Sequence, residues 1–232
     1  MSDTQEFEGF PPSALQFFAD LKQNNDREWF AANKATYLND VVEPAKAFIL
    51  ALGGMLTSLH PGVNYDTRMN GAGSMFRIYR DVRFSKDKSP YKTHLGMVFW
   101  LGSGKKTESA AFYVGMSDEG AGVYGGMWRF EKGTLGAYRQ AVDDPSKGDE
   151  LATILDNLRT AGYEVGGDAY KRVPRGFDPD HPHAALLKHS AVHAGVQKVD
   201  PTLVTSPAFL PAAFEHCTNL YPMVEWISKN TS

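Results

Sequence analysis

Apolar residues recur at helical spacing through roughly the first sixty positions and then change period. Leu15, Phe18 and Leu21 fall on one face, and Asn24-Asn25-Asp26 stops that helix. Asn25 followed by Glu28 predicts a capping box opening a second helix with Trp29, Phe30, Asn33 and Tyr37. Pro44 suits the first turn of a third helix, whose stripe continues through Phe48, Leu52 and Leu56 until His60-Pro61-Gly62. From about Ser74 the pattern alternates. Segments 74–82, 95–101, 110–116 and 121–130 read as strands, and the turn-length links between the last three predict an antiparallel meander. Gly122 and Gly126 share a face with Tyr124 and Trp128, so another element is expected close against them. Helical spacing returns after Glu131 and again over 148–161. Residues 171–183 read as an ordered loop and 192–199 as one more strand. A C-terminal helix from Pro211 is bent at Pro222. The expectation is an α+β fold: N-terminal helices, a central antiparallel β-meander, and C-terminal helices packed on the sheet.

Length and composition narrow the class. The 232 residues are 42% hydrophobic and 22% charged, enough apolar material for a core without staples. They suggest a single domain over 1–232, with 1–12 a loosely ordered segment. One cysteine, Cys217, excludes an internal disulfide and favours a reducing compartment. The longest apolar stretch, 47–56, is too short for a bilayer, and the acidic start of the chain does not read as a targeting peptide. The expected location is cytoplasmic.

Charge is concentrated in one place. Residues 76–94, F-R-I-Y-R-D-V-R-F-S-K-D-K-S-P-Y-K-T-H, carry six cations against two carboxylates, a net +4 in a chain of net −3, so the remainder is −7. As a strand, this segment would project Arg77, Tyr79 and Asp81 from one face and Phe76, Ile78 and Arg80 from the other. Arginines on both faces cannot both be simply solvated, so at least one needs an anionic partner. A guanidinium fork suits carboxylate or phosphate. Lys88, Tyr91, Lys92 and His94 could complete such a pocket around the Ser89-Pro90 turn, with Arg83 a further ligand-binding candidate. The competing expectation is that the arginines pair internally with Asp81, Asp66 or Glu131. Nucleic acid is a further reading, from basic residues interleaved with Phe84, Tyr79 and Tyr91, but the overall acidity argues against it.

Three blocks together resemble the bacterial and fungal family of conserved proteins termed domain of unknown function 2461. They are L-Q-F-F-A-D-L-K-Q-N-N-D-R-E-W-F-A-A-N-K from Leu15, the 76–94 segment, and V-P-R-G-F-D-P-D-H-P from Val173. The resemblance runs from about Leu15 to Ile227. It implies a single-domain cytosolic protein and carries over no catalytic residue.

A second region holds Asp178, Asp180, His181 and His183, metal-competent groups at close spacing. Helix capping explains the same acids, and no H-E-x-x-H or triad spacing is present. Arg129 and Arg175 would strengthen an anion site if their loops converged with Arg77 and Arg80. Gly71-Ala72-Gly73-Ser74 lacks the third glycine of a dinucleotide fingerprint, and there is no G-x-S-x-G elbow. Three expectations stand: a pocket for a small anionic ligand, a non-enzymatic interaction or structural module with paired arginines, and a metal-dependent enzyme using 178–183. No cofactor, oligomeric state or reaction is specified.

Overall fold

The computed structural model describes residues 6–168 and 170–231. The α+β expectation holds. Helices α1 (Pro12–Gln23), α2 (Arg27–Ala32), α3 (Lys34–Thr36) and α4 (Glu43–Leu56) precede a six-stranded antiparallel sheet. Its strands are β1 (Val63–Asn64), β2 (Leu95–Leu101), β3 (Ala111–Ser117), β4 (Gly120–Met127), β5 (Glu164–Asp168) and β6 (His189–Val199), in the order β1-β2-β3-β4-β6-β5. Helices α5 (Lys132–Asp143), α6 (Pro145–Thr160), α7 (Ala184–Leu187), α8 (Pro201–Val204) and α9 (Phe209–Asn230) complete the chain. The meander β2–β4 matches the pattern of the sequence. Strands β1 and β5 do not, being two residues long and glycine-containing respectively.

The residues group into two compact units. The first comprises Met1–Phe99, Tyr113–Val123 and Gln197–Glu215, and the second Trp100–Phe112, Tyr124–Val196 and His216–Ser232. Of the N-terminal stretch expected to be loose, residues 1–5 lie outside the described residues, while Phe7 and Phe10 are buried.

Aromatic stacking builds the first unit. Phe48 lies parallel to Phe209 with centroids 5.1 Å apart, and Phe10 sits against both. A second cluster joins Phe17, Phe30 and Tyr37, and Phe30 stacks on Tyr91 at 4.2 Å. Such pairs add about 0.5–1.5 kcal/mol each beyond area burial. The helix from α3 into α4 is continuous but widens to a π turn over Tyr37–Val42. Pro44, just beyond, has no N–H for the Asp40 carbonyl, and its ring crowds that carbonyl. The start expected at Pro44 is therefore the resumption of a helix already under way. Gly53 lies inside α4 because the Tyr65 ring packs where a β-carbon would be: an added Cβ would sit 2.3 Å from Tyr65 Cγ.

In the second unit Tyr138 is fully buried, stacked on Phe130 at 4.7 Å, and donates its hydroxyl proton to the Leu186 carbonyl at 3.0 Å. Trp226 donates from Nε1 to the Lys147 carbonyl. The close neighbour expected beside Gly126 is a strand of the same sheet: with φ +123°, Gly126 would place a Cβ 2.2 Å from the Val192 carbonyl oxygen of β6. Cys217 is buried, and burial pushes its thiol pKa up, so it packs as an apolar group.

The α4 glycines make a paired test. Gly54, with open space around it, should gain up to about 1 kcal/mol on replacement by Ala through helix propensity. Gly53→Ala should lose about 1–3 kcal/mol despite the same propensity, because the ring stem of Tyr65 must move. Denaturant unfolding of both variants checks this. Equal effects would show that Tyr65 does not constrain the helix.

Candidate functional site

The basic segment does not form the strand expected over 74–82. It pairs with the chain at 90–98 in two pieces, through isolated bridges Met75↔Met97 and Tyr79↔Tyr91. Four residue steps separate Met75 from Tyr79, but six separate Tyr91 from Met97, so two residues are surplus on the second side. A ladder cannot absorb that difference without bulging. Around the slip, Phe76 N–H donates to Gly96 and Lys92 N–H to Ile78, while Thr93 and His94 lie in the surplus stretch. One side chain secures the far piece. Asn25 Nδ2 donates to the Tyr91 carbonyl and Asn25 Oδ1 accepts from the Tyr91 N–H, each at 3.0 Å, as a neighbouring strand would. The helix cap expected from Asn25 belongs to Asp26, whose carboxylate accepts from Trp29 N–H at 2.9 Å.

Beside the slip lies a polar hollow of about 350 Å³. Lys22, Arg80, Lys92 and His94 reach it, with Asp87 as its one carboxylate and Asn25, Ser89 and Thr93 as neutral polar groups. Arg80 donates to Asp87 at 2.5 Å and to the Ser89 carbonyl at 3.1 Å. Bonds from the Ser89 hydroxyl and N–H, and then from Arg80, hold the Asp87 pKa far below the ordinary carboxylate value. Lys22 pairs with Asp118 and Glu119 at 2.6 and 3.0 Å. Lys92 Nζ donates to the Arg77 carbonyl at 2.8 Å and lies over the Phe76 ring. Burial, then the Arg77 charge, lowers its pKa. His94 stays accessible, yet the protein packed around it and the Lys92 charge hold its pKa below the ordinary histidine value.

The remaining candidates divide. Arg83 pairs with Asp81 outside the hollow, holding the Asp81 pKa at about 2. Lys88 Nζ donates to the Val82 carbonyl. Internal pairing thus occurs, but Arg80 takes Asp87, while Asp66 pairs with Arg68 and Glu131 with Arg129. Arg77 is exposed and has no acidic partner among the described residues. It lines a separate hollow of about 110 Å³ with Tyr37, Met69, Met75, Ile78 and Tyr79. Tyr91 is buried and Tyr79 is 59% exposed. Arg129 and Arg175 belong to the second unit and line neither hollow. Lys22, Asn25, Asp87 and Thr93 went unrecognised in the sequence. Nothing local links Asn25 to Tyr91, which follows it by 66 residues.

The 178–183 residues do not form a common set. Asp178 accepts from Asp180 N–H and His181 Nδ1 from His183 N–H. The histidine Nε2 atoms turn to acids outside the segment, His183 to Asp149 at 2.7 Å and His181 to Asp143 at 3.7 Å. Among the described residues no group of three or more histidine, cysteine or acidic side chains is placed to hold a metal ion, and no helix is long and apolar enough to cross a membrane.

Fold and site together define an α+β protein with a central antiparallel sheet and a basic, register-slipped segment around a polar hollow. Residues 13–226 match the family described as conserved hypothetical protein, DUF2461, and the chain belongs to it. No curated protein matches the chain.

Two outcomes test this geometry. Asn25→Ala should cost about 1–3 kcal/mol by stranding the Tyr91 amide groups, and Asn25→Asp should not rescue it, since a carboxylate cannot donate to the Tyr91 carbonyl. A full-strength Asp variant in denaturant unfolding would refute the clamp. The pH response follows from His94 and His193, whose pKa values both lie below the ordinary 6.5 when folded, His193 through burial. As pH falls below about 6.5 the unfolded chain takes up protons that the folded protein binds less readily, so stability drops through that window and is level above it. His94→Gln should shrink the drop between pH 7.5 and 5. An unchanged pH profile would exclude His94 as a contributor.

Proposed function

We propose that the polar hollow binds a small anionic ligand bearing phosphate or carboxylate. The observation that carries this reading is the convergence of Lys22, Arg80, Lys92 and His94 on one hollow of about 350 Å³, whose single carboxylate, Asp87, is already engaged by Arg80 and Ser89. The volume falls in the range of small-molecule sites. Lys92 is the main anchor: its ammonium pays for partial burial and for the nearby Arg77 charge, and an anion would relieve both. Arg80, fixed by Asp87, presents its remaining donors in a set direction. Ser89 and Thr93 supply hydroxyls, and His94 can add charge by taking up a proton when the anion arrives. The chain would act in the cytoplasm, where a lone buried thiol such as Cys217 stays reduced.

A second reading rests on the Arg80–Asp87–Ser89 network, in which the arginine serves only to shape the loop and the protein is an interaction or structural module. It predicts no response to anions and a large loss of stability for Arg80→Ala. Thermal unfolding with inorganic phosphate, a nucleoside monophosphate and succinate separates the two. A ligand at a hundredfold excess over its Kd should add about 2.7 kcal/mol, roughly 5–10 °C for a chain of this size. Lys92→Ala and His94→Gln should fold and lose most of that rise. Identical shifts in parent and variants, or none in the parent, would overturn the binding reading.

A further inference from the structure

We infer that the smaller hollow is a second, separate site, one that takes a small amphipathic monocarboxylate, its head on Arg77 and its apolar body among Met69, Met75, Ile78 and Tyr79. Arg77 lies at this hollow and not at the polar one, with its Nε about where a side chain on Gly71 would touch it, 3.0 Å from an added Cβ. It has no acidic partner among the described residues, in a segment where Arg80 and Arg83 each have one. The lining is otherwise apolar. Met69 is 41% and Tyr79 59% exposed, leaving large apolar surface uncovered beside an uncompensated guanidinium.

A second donor points the same way. Tyr37 is buried, at the start of the π turn, and its hydroxyl has no hydrogen-bond partner among the described residues. Burial and the neighbouring Tyr79 push its pKa up to about 12, so it stays protonated and lines the hollow as an unused donor. Two unsatisfied donors on an apolar concavity suit a ligand with an acceptor head and an apolar tail. Carboxylate is favoured over phosphate because one fork and one neutral phenol match a singly charged planar head, whereas a dianion would find the richer cation set of the other hollow. Size limits the tail. An apolar cavity of about 150 Å³ accommodates benzene, so about 110 Å³ takes a short aliphatic chain or the leading part of one ring.

The probes are valerate, benzoate and acetate, with inorganic phosphate as the marker of the polar hollow. Methionine-methyl NMR on the full chain, labelled at its methionines, reads Met69 and Met75 directly. Valerate and benzoate should move those two signals, with acetate at least tenfold weaker because it lacks the tail. Arg77→Gln, at an exposed position where folding is not at risk, should weaken valerate at least tenfold and leave the phosphate response intact. Arg77→Lys should recover only part of the loss. Tyr37→Phe should weaken binding by a smaller factor. Equal affinity for acetate and valerate, undisturbed methionine signals, or unchanged valerate binding in Arg77→Gln would each overturn the assignment. A failure of phosphate alone would strike the polar hollow and leave this site standing.

Discussion

Two surplus residues between Tyr91 and Met97 set the character of the first unit. A chain that pairs Met75 with Met97 and Tyr79 with Tyr91 cannot stay in one ladder, because the two sides differ in length. A break in pairing costs backbone hydrogen bonds, and buried amides must find partners elsewhere. Asn25 pairs the other edge of this segment, giving Tyr91 a donor and an acceptor from a side chain. The polar hollow is the space beside the slip, and Thr93 and His94 line it because they are the residues left over.

Charge then organises what geometry opened. The exposed pair Arg83–Asp81 contributes little to stability, since solvent screens it and side-chain entropy opposes it, and the half-buried Arg80 meets an Asp87 that is itself open to solvent. Their effect is on shape. Asp87 gathers Ser89 and Arg80, and Lys88 ties back to Val82, so the loop is braced by its own hydrogen bonds. Preorganisation of that kind lowers the entropy cost of binding. Arg77 and Lys92 stand apart because neither has a carboxylate partner among the described residues, and each borders a hollow.

The same logic of local compensation recurs in α3 to α4. Pro44 removes a helical hydrogen bond, the backbone widens to a π turn, and Tyr37 at the head of that turn faces a hollow with a hydroxyl that has no hydrogen-bond partner among the described residues. In the second unit several polar groups are satisfied internally: Tyr138 by Leu186, Trp226 by Lys147, His183 by Asp149.

Helices, meander and the α+β order were legible in the sequence, since period and turn chemistry are local properties that burial of one face imposes on every element. So was the concentration of charge at 76–94. Strands β1 and β5 were not, because two residues or a Gly-Gly pair carry no period, and they exist only because a neighbour offers a ladder edge. The failure of 74–82 as a strand was equally hidden, for alternation says which face a residue occupies and nothing about the length of the chain opposite. Pairing was the other nonlocal decision: the sequence marked arginines in need of anions, and only folding determined that Arg80 would meet Asp87, that Arg129 and Arg175 would belong to another unit, and that Arg77 would have no acidic partner among the described residues.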